Sequence, residues 1–396
     1  MIFWAFLAML VDIGLARFGY GLLLPQMRGE LGGAYGVYGT IATLHFAGYL
    51  AGSLAGPFIL RRDRGAGRTA ALAHAIVALG LIASAAAGGV LVLGIARVVI
   101  GLASGVGIVS VFSAAMERIA PAQRGRVSGI VWSGLAVGVV LSAIPTPWLL
   151  ALPGGWRVST YAAAAIGAVC AVGLAVSMRV PARIAAPAIV AATEQPFVVR
   201  DLLRPHRFLL LAAAYGCGGA AYTAYTTFAV AALRLRGMSG TEIALVWAAL
   251  GLTGIVGALA VGPLLASRLK SATFAFTFVA GTVGCALAAF SGLAVAVAGA
   301  LFAGLSMASM PAVATAFARA RASTATGPAA FTAVTMVFGV GQIVGPYSGG
   351  LLADRAGPAT VAWLACGFYG VGALLAIADG RLSRQAERPP CHAERS

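Results

Sequence analysis

The chain has 396 residues, of which 60% are hydrophobic and only 10% are charged. Soluble globular proteins carry roughly 25% charged residues, so this composition excludes a soluble protein and requires a lipid bilayer as the solvent for much of the chain. The formal net charge of +16 resides in short loops between apolar segments, where basic residues orient a membrane protein and meet anionic lipids, and we expect no nucleic-acid partner.

Twelve segments are long and apolar enough to cross a bilayer, which takes about 20 such residues. We predict an all-α membrane protein with transmembrane helices at 2–26, 37–60, 69–88, 90–114, 128–151, 158–178, 208–233, 242–266, 272–291, 293–317, 329–353 and 359–378. Residues 179–207 form a polar, arginine-rich linker that separates two sets of six helices. The predicted organisation is an N-terminal bundle (1–178), a linker (179–207), a C-terminal bundle (208–378) and a tail (379–396).

The cations of the loops predict the topology. With the N-terminus in the cytoplasm, most loop arginines and the single Lys270 fall on the cytoplasmic side, as the positive-inside rule requires. An even number of helices is needed for this bias. We therefore expect both termini, the linker and the tail in the cytoplasm.

The first helix carries charged and polar residues at membrane depth, where they are functional candidates by default. Arg17 lies near its middle and presents a planar guanidinium suited to a carboxylate, so it is a candidate for substrate binding; a structural pairing is the alternative. Asp12 is a candidate proton carrier or a solvated residue. It lies five positions from Arg17, roughly 140° around an α-helix, so a pair between them is not expected. Tyr20 joins the substrate-binding candidates.

Three further residues of the N-terminal half could move or stabilise protons. His45 in helix 2 and His74 in helix 3 could relay protons, or could be satisfied packing residues. Arg97 in helix 4 is a candidate for proton coupling or for a structural tie to neighbouring carbonyl groups. We select Asp12, Arg97 and His45 as the predicted proton-coupling set.

Helix 7 contains Tyr215, Tyr222 and Tyr225 on one broad face. The hydroxyl groups of Tyr222 and Tyr225 could bind a solute, and Gly218-Gly219 predicts a break in this helix like those found at transporter sites. Packing or an interfacial aromatic belt is the alternative. Gln342 in helix 11 is a further polar candidate for substrate binding.

Glycine-rich strings recur about half a chain apart. Gly134 to Gly138 in helix 5 matches Gly341 to Gly345 in helix 11, and Gly101-Leu102 in helix 4 matches Gly304-Leu305 in helix 10. Small residues let helices approach closely inside a membrane. A parallel repeat of six helices is one way in which secondary transporters are built.

Several of these segments resemble the major facilitator superfamily. Arg97 to Gly101, with Gly105 one turn on, resembles its helix 4 motif, and Gly341 to Gly350 matches a Gly-x-x-x-Gly-Pro-x-x-Gly-Gly pattern known from helix 5 of antiporters. The segments from Ala16 to Arg28 and from His45 to Gly52 resemble the bacterial YbfB/YjiJ group. The resemblance implies twelve helices in two bundles, with helices 1, 4, 7 and 10 around a central cavity. It also implies a location in a bacterial inner membrane, and we expect a monomer.

The same resemblance suggests which small residues serve helix packing and gating: Gly101, Gly105, Gly341, Gly345, Pro346 and Gly349. Helix 5 has Val139 where the antiporter pattern has proline, so antiport does not follow. The string from Gly350 to Gly357, which includes Asp354, fits the family's signature for the loop between helices 2 and 3. The predicted topology places it on the outer side, so the same gating role is not expected there.

No catalytic motif is present, and the sequence predicts no enzyme. The five cysteines form no Cys-x-x-Cys pair, and we expect neither a metal nor a cofactor. The leading hypothesis is a secondary transporter of a small organic solute, with a preference for an anion, coupled to protons and working by alternating access in the lipid bilayer. The alternatives are an efflux antiporter of amphipathic compounds, a membrane sensor or scaffold that does not transport, and, more remotely, an intramembrane enzyme.

Overall fold

The computed structural model describes residues 1–62, 65–120, 123–177, 206–266, 270–320 and 327–386. These residues form twelve long helices and no strand. The helices are α1 (Ile2–Leu31), α2 (Tyr35–Arg62), α3 (Ala66–Ala85), α4 (Val90–Met116), α5 (Arg124–Ala143), α6 (Gly155–Ser177), α7 (His206–Leu235), α8 (Gly240–Ala266), α9 (Lys270–Ala288), α10 (Leu293–Ala320), α11 (Gly327–Ala356) and α12 (Val361–Ala386).

The outer surface of the helices is apolar, as a bilayer requires. Eleven of the helices are long and apolar enough to cross a membrane, and α9 supplies a shorter apolar stretch, Ala272–Ala288. Large side chains such as Phe58, Leu91, Leu259 and Leu374 are between 66% and 74% exposed. So much exposed apolar surface is stable only in contact with lipid. The chain is a multi-pass membrane protein.

The helices pack as two bundles of the same plan. In the first, α2 packs on α4, α3 packs on α4 and α6, and α1 packs on α5; in the second, α8 packs on α10, α9 on α10 and α12, and α7 on α11. The fold class, two six-helix bundles, agrees with the sequence prediction. The bundles meet where α1 faces α7, α2 faces α11 and α5 faces α8. Most of the predicted linker, 179–207, lies outside the described residues.

Glycines allow the closest helix crossings. In α4, a Cβ added to Gly101 would strike the carbonyl oxygen of His45, and one added to Gly105 would strike that of Tyr49, both in α2. Close approach of two backbones is how helices associate without a hydrophobic driving force.

The second bundle repeats this arrangement in α11. A Cβ on Gly341 or Gly345 would strike the backbone of α7, and one on Gly349 would lie 3.1 Å from an aromatic ring of α7. The carbonyl oxygen of Pro346 lies against Gly39 of α2. The glycine-rich string of α11 therefore contacts both bundles.

Three helices differ from their predicted form. α1 contains a π-helical segment, Leu10–Phe18, which the sequence did not predict. α5 ends at Ala143, and a short helix, Thr146–Ala151, follows Pro145, because proline lacks the N–H that would continue the helix. α12 continues to Ala386, past the predicted end at residue 378.

The predicted break in α7 is wrong. The helix runs without interruption from His206 to Leu235. Gly218 and Gly219 serve close packing, because a Cβ on Gly218 would strike the sulfur of Met310 and one on Gly219 would strike the carbonyl oxygen of Phe338.

Two side chains cap the first turn of α8. The backbone N–H and the hydroxyl of Ser239 both donate to the carboxylate of Glu242, at 2.8 Å each, and the N–H of Glu242 lies 3.3 Å from the Ser239 hydroxyl oxygen. This reciprocal pair is a capping box, and it satisfies donors that the first helical turn leaves free.

Hydrogen bonds join the two bundles near one end of the molecule, the end at which α1 finishes and α2 begins, here called the α1–α2 end. The carboxylate of Asp354, in the last turn of α11, accepts the backbone N–H of Tyr35 at 2.6 Å and that of Gly36 at 2.8 Å. The hydroxyl of Thr43 donates to the carbonyl oxygen of Ile343 at 3.0 Å. Asp354 thus binds the positive end of the α2 dipole.

Candidate functional site

A small cavity lies between α1, α2 and α4 of the first bundle and α7 of the second. It leaves room for about one or two water molecules. Its described lining combines cationic, aromatic and hydroxyl side chains and contains no carboxylate: Arg17, Phe18, Tyr20, Gly21, Ala42, His45, Phe46, Arg97, Tyr222, Thr226 and Thr227. The family resemblance implied helix 10 at the cavity, whereas the described lining takes α2 in that place.

Arg17 reaches the cavity from the π-helical segment of α1. Its guanidinium carbon lies 4.2 Å from the ring centre of Tyr49 and 5.0 Å from that of Phe46. Its Nε and Nη2 atoms are buried without a hydrogen-bond partner. The rings hold the cation through their faces. Arg17 also hydrogen-bonds the Tyr222 side chain, which leaves the N–H groups of Nε and Nη2 without an acceptor.

Arg97 approaches the same cavity from α4 and is 3% exposed. Its Nη1 donates to the carbonyl oxygen of Ala16 at 2.5 Å, and its guanidinium lies 4.5 Å from the ring centre of Tyr20. Its Nε is buried without a partner. Arg97 thus ties α4 to a backbone carbonyl of α1, and its Nε keeps an N–H without an acceptor beside the cavity.

His45 lies beside the two arginines. Its Nδ1 is 3.1 Å from the carbonyl oxygen of Arg97, so Nδ1 carries the proton and donates. Its Nε2 is buried without a partner. In the neutral ring this atom is an acceptor, and it could receive a proton or a solute hydroxyl group.

An aromatic stack forms the wall next to the cavity. Tyr222 lies nearly parallel to Phe338, at 5.7 Å between ring centres, and Phe338 is stacked on Tyr215 at 4.1 Å. Phe18 lies over the opposite side of Tyr222 at 6.4 Å. The side-chain amide of Gln342 donates to the hydroxyl oxygen of Tyr222. Gln342 therefore acts on the cavity through Tyr222.

The structure brings together most of the candidates, but not all. Tyr20 lines the cavity with its ring, although its hydroxyl donates to the carbonyl oxygen of Tyr38 at 2.8 Å. Tyr225 lines a separate apolar cavity near Pro358, so the structure does not place it with Arg17. Asp12 is also away from the cavity: it is buried, and its carboxylate lies 3.2 Å from Nε2 of His74.

Sequence reasoning missed the side chains that surround the arginines. Phe46 follows His45 directly, and Tyr49 lies one turn further along the same helix; together they hold Arg17. Thr226 and Thr227 follow the tyrosine stripe of α7 and line the cavity. The polar pair Thr226-Thr227 inside an otherwise apolar helix is the sequence feature that could have indicated these two residues.

Comparison with known proteins agrees with this architecture. The model of a protein family described as MFS_4, "Uncharacterised MFS-type transporter YbfB", matches residues 9–378. No curated protein matches the sequence.

Solved structures share the fold at low sequence identity. A mutant of the nucleoside transporter NupG is similar with a TM-score of 0.80 and 13% identity, over 96% of this chain and 99% of that chain. A bacterial homologue of the human lysosomal transporter Spinster, inward-facing and unoccupied, has a TM-score of 0.79 and 14% identity, over 98% of both chains. The chain belongs to the YbfB family of major facilitator superfamily transporters.

Proposed function

We propose that the chain is a secondary transporter of a small organic anion, coupled to protons. The observation that carries this proposal is the cavity with two guanidinium groups and no carboxylate among its described lining. Arg17 and Arg97 both direct buried N–H groups at it without acceptors. A buried donor left unpaired costs about 1–3 kcal/mol, and more when it is charged, so an acceptor should bind there.

A carboxylate fits these donors best. Its two oxygens match the fork of a guanidinium, and the resulting charge-assisted bonds are stronger than neutral ones. The aromatic stack beside the cavity offers apolar contact for the remainder of the solute. Binding of an anion would also compensate two cations that are costly at membrane depth.

The hydrogen bonds that join the bundles at the α1–α2 end support alternating access. By the positive-inside rule this end faces outward, with both termini in the cytoplasm of a bacterium and the chain in the inner membrane. Asp354 and Thr43 then seal the outer side between the bundles 1–178 and 208–378, which the linker 179–207 joins. Rocking of the bundles about the cavity would open this side and close the other. We expect a monomer to suffice.

The test is ligand-induced thermal stabilisation of the detergent-purified protein. The panel contains carboxylates, amino acids, nucleosides, sugars, amines and amphipathic drugs. A ligand at 100 times its Kd stabilises by about 2.7 kcal/mol. We expect a carboxylate to stabilise the wild type and to lose this effect in Arg17→Ala, with partial recovery in Arg17→Lys, which restores the charge but not the fork.

Arg28→Ala is the matched control. Arg28 lies in the same helix, stacks on a tyrosine ring at 4.1 Å and has a buried, unpartnered Nε, but it does not line the cavity. This variant should keep the ligand response. Equal responses in the wild type and in Arg17→Ala would overturn the assignment of Arg17.

Flux then separates a transporter from a sensor or scaffold. In proteoliposomes, the stabilising carboxylate should cross the membrane faster with protein than without, and an imposed proton gradient should drive its accumulation. Binding without flux would support the non-transporting alternative. Stabilisation only by amphipathic cations would favour the efflux alternative and oppose an anion site.

A further inference from the structure

We infer that Asp12 and His74 together bind one proton, at a site separate from the anion cavity. Its part in transport rests on the proposed function, whereas proton binding by the pair does not. Arg97 and His45, the other predicted proton-coupling residues, line the cavity instead. The His74 ring is held in one orientation, which turns a bare nitrogen toward the Asp12 carboxylate unless the pair holds a proton.

The orientation of the ring is fixed on one side. Nδ1 of His74 lies 2.7 Å from the carbonyl oxygen of Ala70, one turn earlier in α3. A carbonyl oxygen only accepts, so Nδ1 carries a proton and donates it. A neutral imidazole has a single N–H group. Nε2 of a neutral His74 would therefore be a bare acceptor.

Nε2 faces a carboxylate. It lies 3.2 Å from Oδ2 of Asp12, and both side chains have no exposed surface. If the ring were neutral and the carboxylate ionised, two acceptors would face each other in a site without water. A proton held by the pair, either as imidazolium with carboxylate or as neutral imidazole with carboxylic acid, turns this repulsion into attraction.

Proton binding by the pair needs no other reactant. One proton joins a neutral His74 and an ionised Asp12, an N–H or O–H bond forms, and no other bond breaks. Release of the proton restores the two acceptors and removes the attraction between α1 and α3. Among the described residues, neither oxygen of Asp12 nor Nε2 of His74 has a hydrogen-bond partner, so the 3.2 Å approach of opposite charges is the contact that holds the carboxylate.

The helices packed around the pair contribute a thiol and glycines. From α6, the thiol of Cys170 lies near Asp12 and donates to the carbonyl oxygen of Trp4 at 3.6 Å. From α4, Gly107 leaves room for the imidazole, since an added Cβ would lie 2.9 Å from its Cε1. From α5, the backbone of Gly138 packs against Gly14 of α1, which lies two residues after Asp12. Among the described residues, Asp12 is the charged group that acts on the imidazole of His74.

The π-helical segment joins this pair to the cavity. Asp12 and Arg17 belong to the same segment, Leu10–Phe18, and π-helical turns occur frequently at functional sites. A change in the contact between α1 and α3 would therefore move the same segment that positions Arg17. This connection distinguishes a coupling site from a purely structural ion pair.

The proton itself is the probe in the test. Histidine-selective ¹⁵N NMR of the detergent-purified protein, which contains four histidines, is recorded from about pH 5 to about pH 9, the range around the histidine midpoint. His74→Gln and His45→Gln assign the signals. We expect Nδ1 of His74 to stay protonated while Nε2 loses its proton as the pH rises.

Asp12→Asn is the informative variant. The amide of asparagine can donate an N–H to a bare Nε2, so it imitates the protonated carboxyl group without titrating. We expect His74 to stay neutral over the whole range in this variant, while His45 behaves as in the wild type. A His74 signal that does not change with pH in the wild type, or one that titrates equally in Asp12→Asn, would overturn the proposal.

A conformational readout tests coupling without any solute. Spin labels at Val37→Cys and Leu351→Cys, which are exposed on α2 and α11, report the distance across the α1–α2 end in a background without native cysteines. Raising the pH should broaden this distance distribution in the labelled wild type and in His45→Gln, but not in Asp12→Asn. An equal response in all three would reduce the pair to a structural role.

Discussion

Replacing Gly138 by alanine is expected to destabilise the protein by about 1–3 kcal/mol, the usual cost of overpacking a tight core. A Cβ at this position would lie 2.6 Å from the carbonyl oxygen of Leu10 and 2.8 Å from Cα of Gly14. Both atoms belong to the backbone of α1, so no side chain can rotate away. The helices must separate, and the crossing of α1 and α5 holds the segment that carries Asp12 and Arg17.

A control for this substitution lies in the same helix. Gly129 of α5 is exposed, and an added Cβ would meet nothing within 4 Å. Gly129→Ala should leave the melting temperature unchanged or raise it, because alanine favours a helix over glycine by about 0.5–1 kcal/mol. Thermal unfolding in detergent measures both variants. Equal melting temperatures would show that α1 and α5 do not pack as described.

Removing the carboxylate of Asp354 is expected to open the α1–α2 end. Asp354→Ala deletes two hydrogen bonds to the first N–H groups of α2 and the favourable charge at its dipole. Loss of a helix cap costs about 0.5–2 kcal/mol. A cost near the middle of this range changes a population roughly tenfold, since about 1.4 kcal/mol corresponds to a factor of ten.

The distance between spin labels at Val37→Cys and Leu351→Cys measures this opening. We expect a second, longer distance to appear in Asp354→Ala. Arg355→Ala is the matched control, because it removes a neighbouring exposed charge that makes no described hydrogen bond to α2. If Arg355→Ala opened this end as much as Asp354→Ala, net charge rather than capping would be responsible.

The sequence predicted the twelve helices and the two bundles because hydropathy over about 20 residues decides membrane insertion almost locally. The capping box at Glu242 is equally local, because its partners lie within one turn. The break in α7 was predicted from Gly218-Gly219 and is wrong. Glycine can end a helix or let another helix approach, and only the packing partner decides which.

The site was harder to predict, because its contacts join distant parts of the chain. The angle between Asp12 and Arg17 correctly argued against a pair within α1, but nothing local indicated His74 as the partner of Asp12. The string from Gly350 to Gly357, which includes Asp354, matches the signature of another loop and predicts no contact with α2. Its contact with α2 depends on two bundles meeting, which spacing along the chain does not encode.

The π-helical segment gives α1 a spare residue. A π-turn contains about one residue more than an α-turn, while each residue of an α-helix advances by about 100°. If the wide turn moves along α1, every residue that it passes rotates by roughly that angle, although both ends of the helix stay in place. Asp12 and Arg17 would thus both turn, relative to α3 and to the cavity, through local slippage of hydrogen bonds and without sliding the whole helix through the membrane.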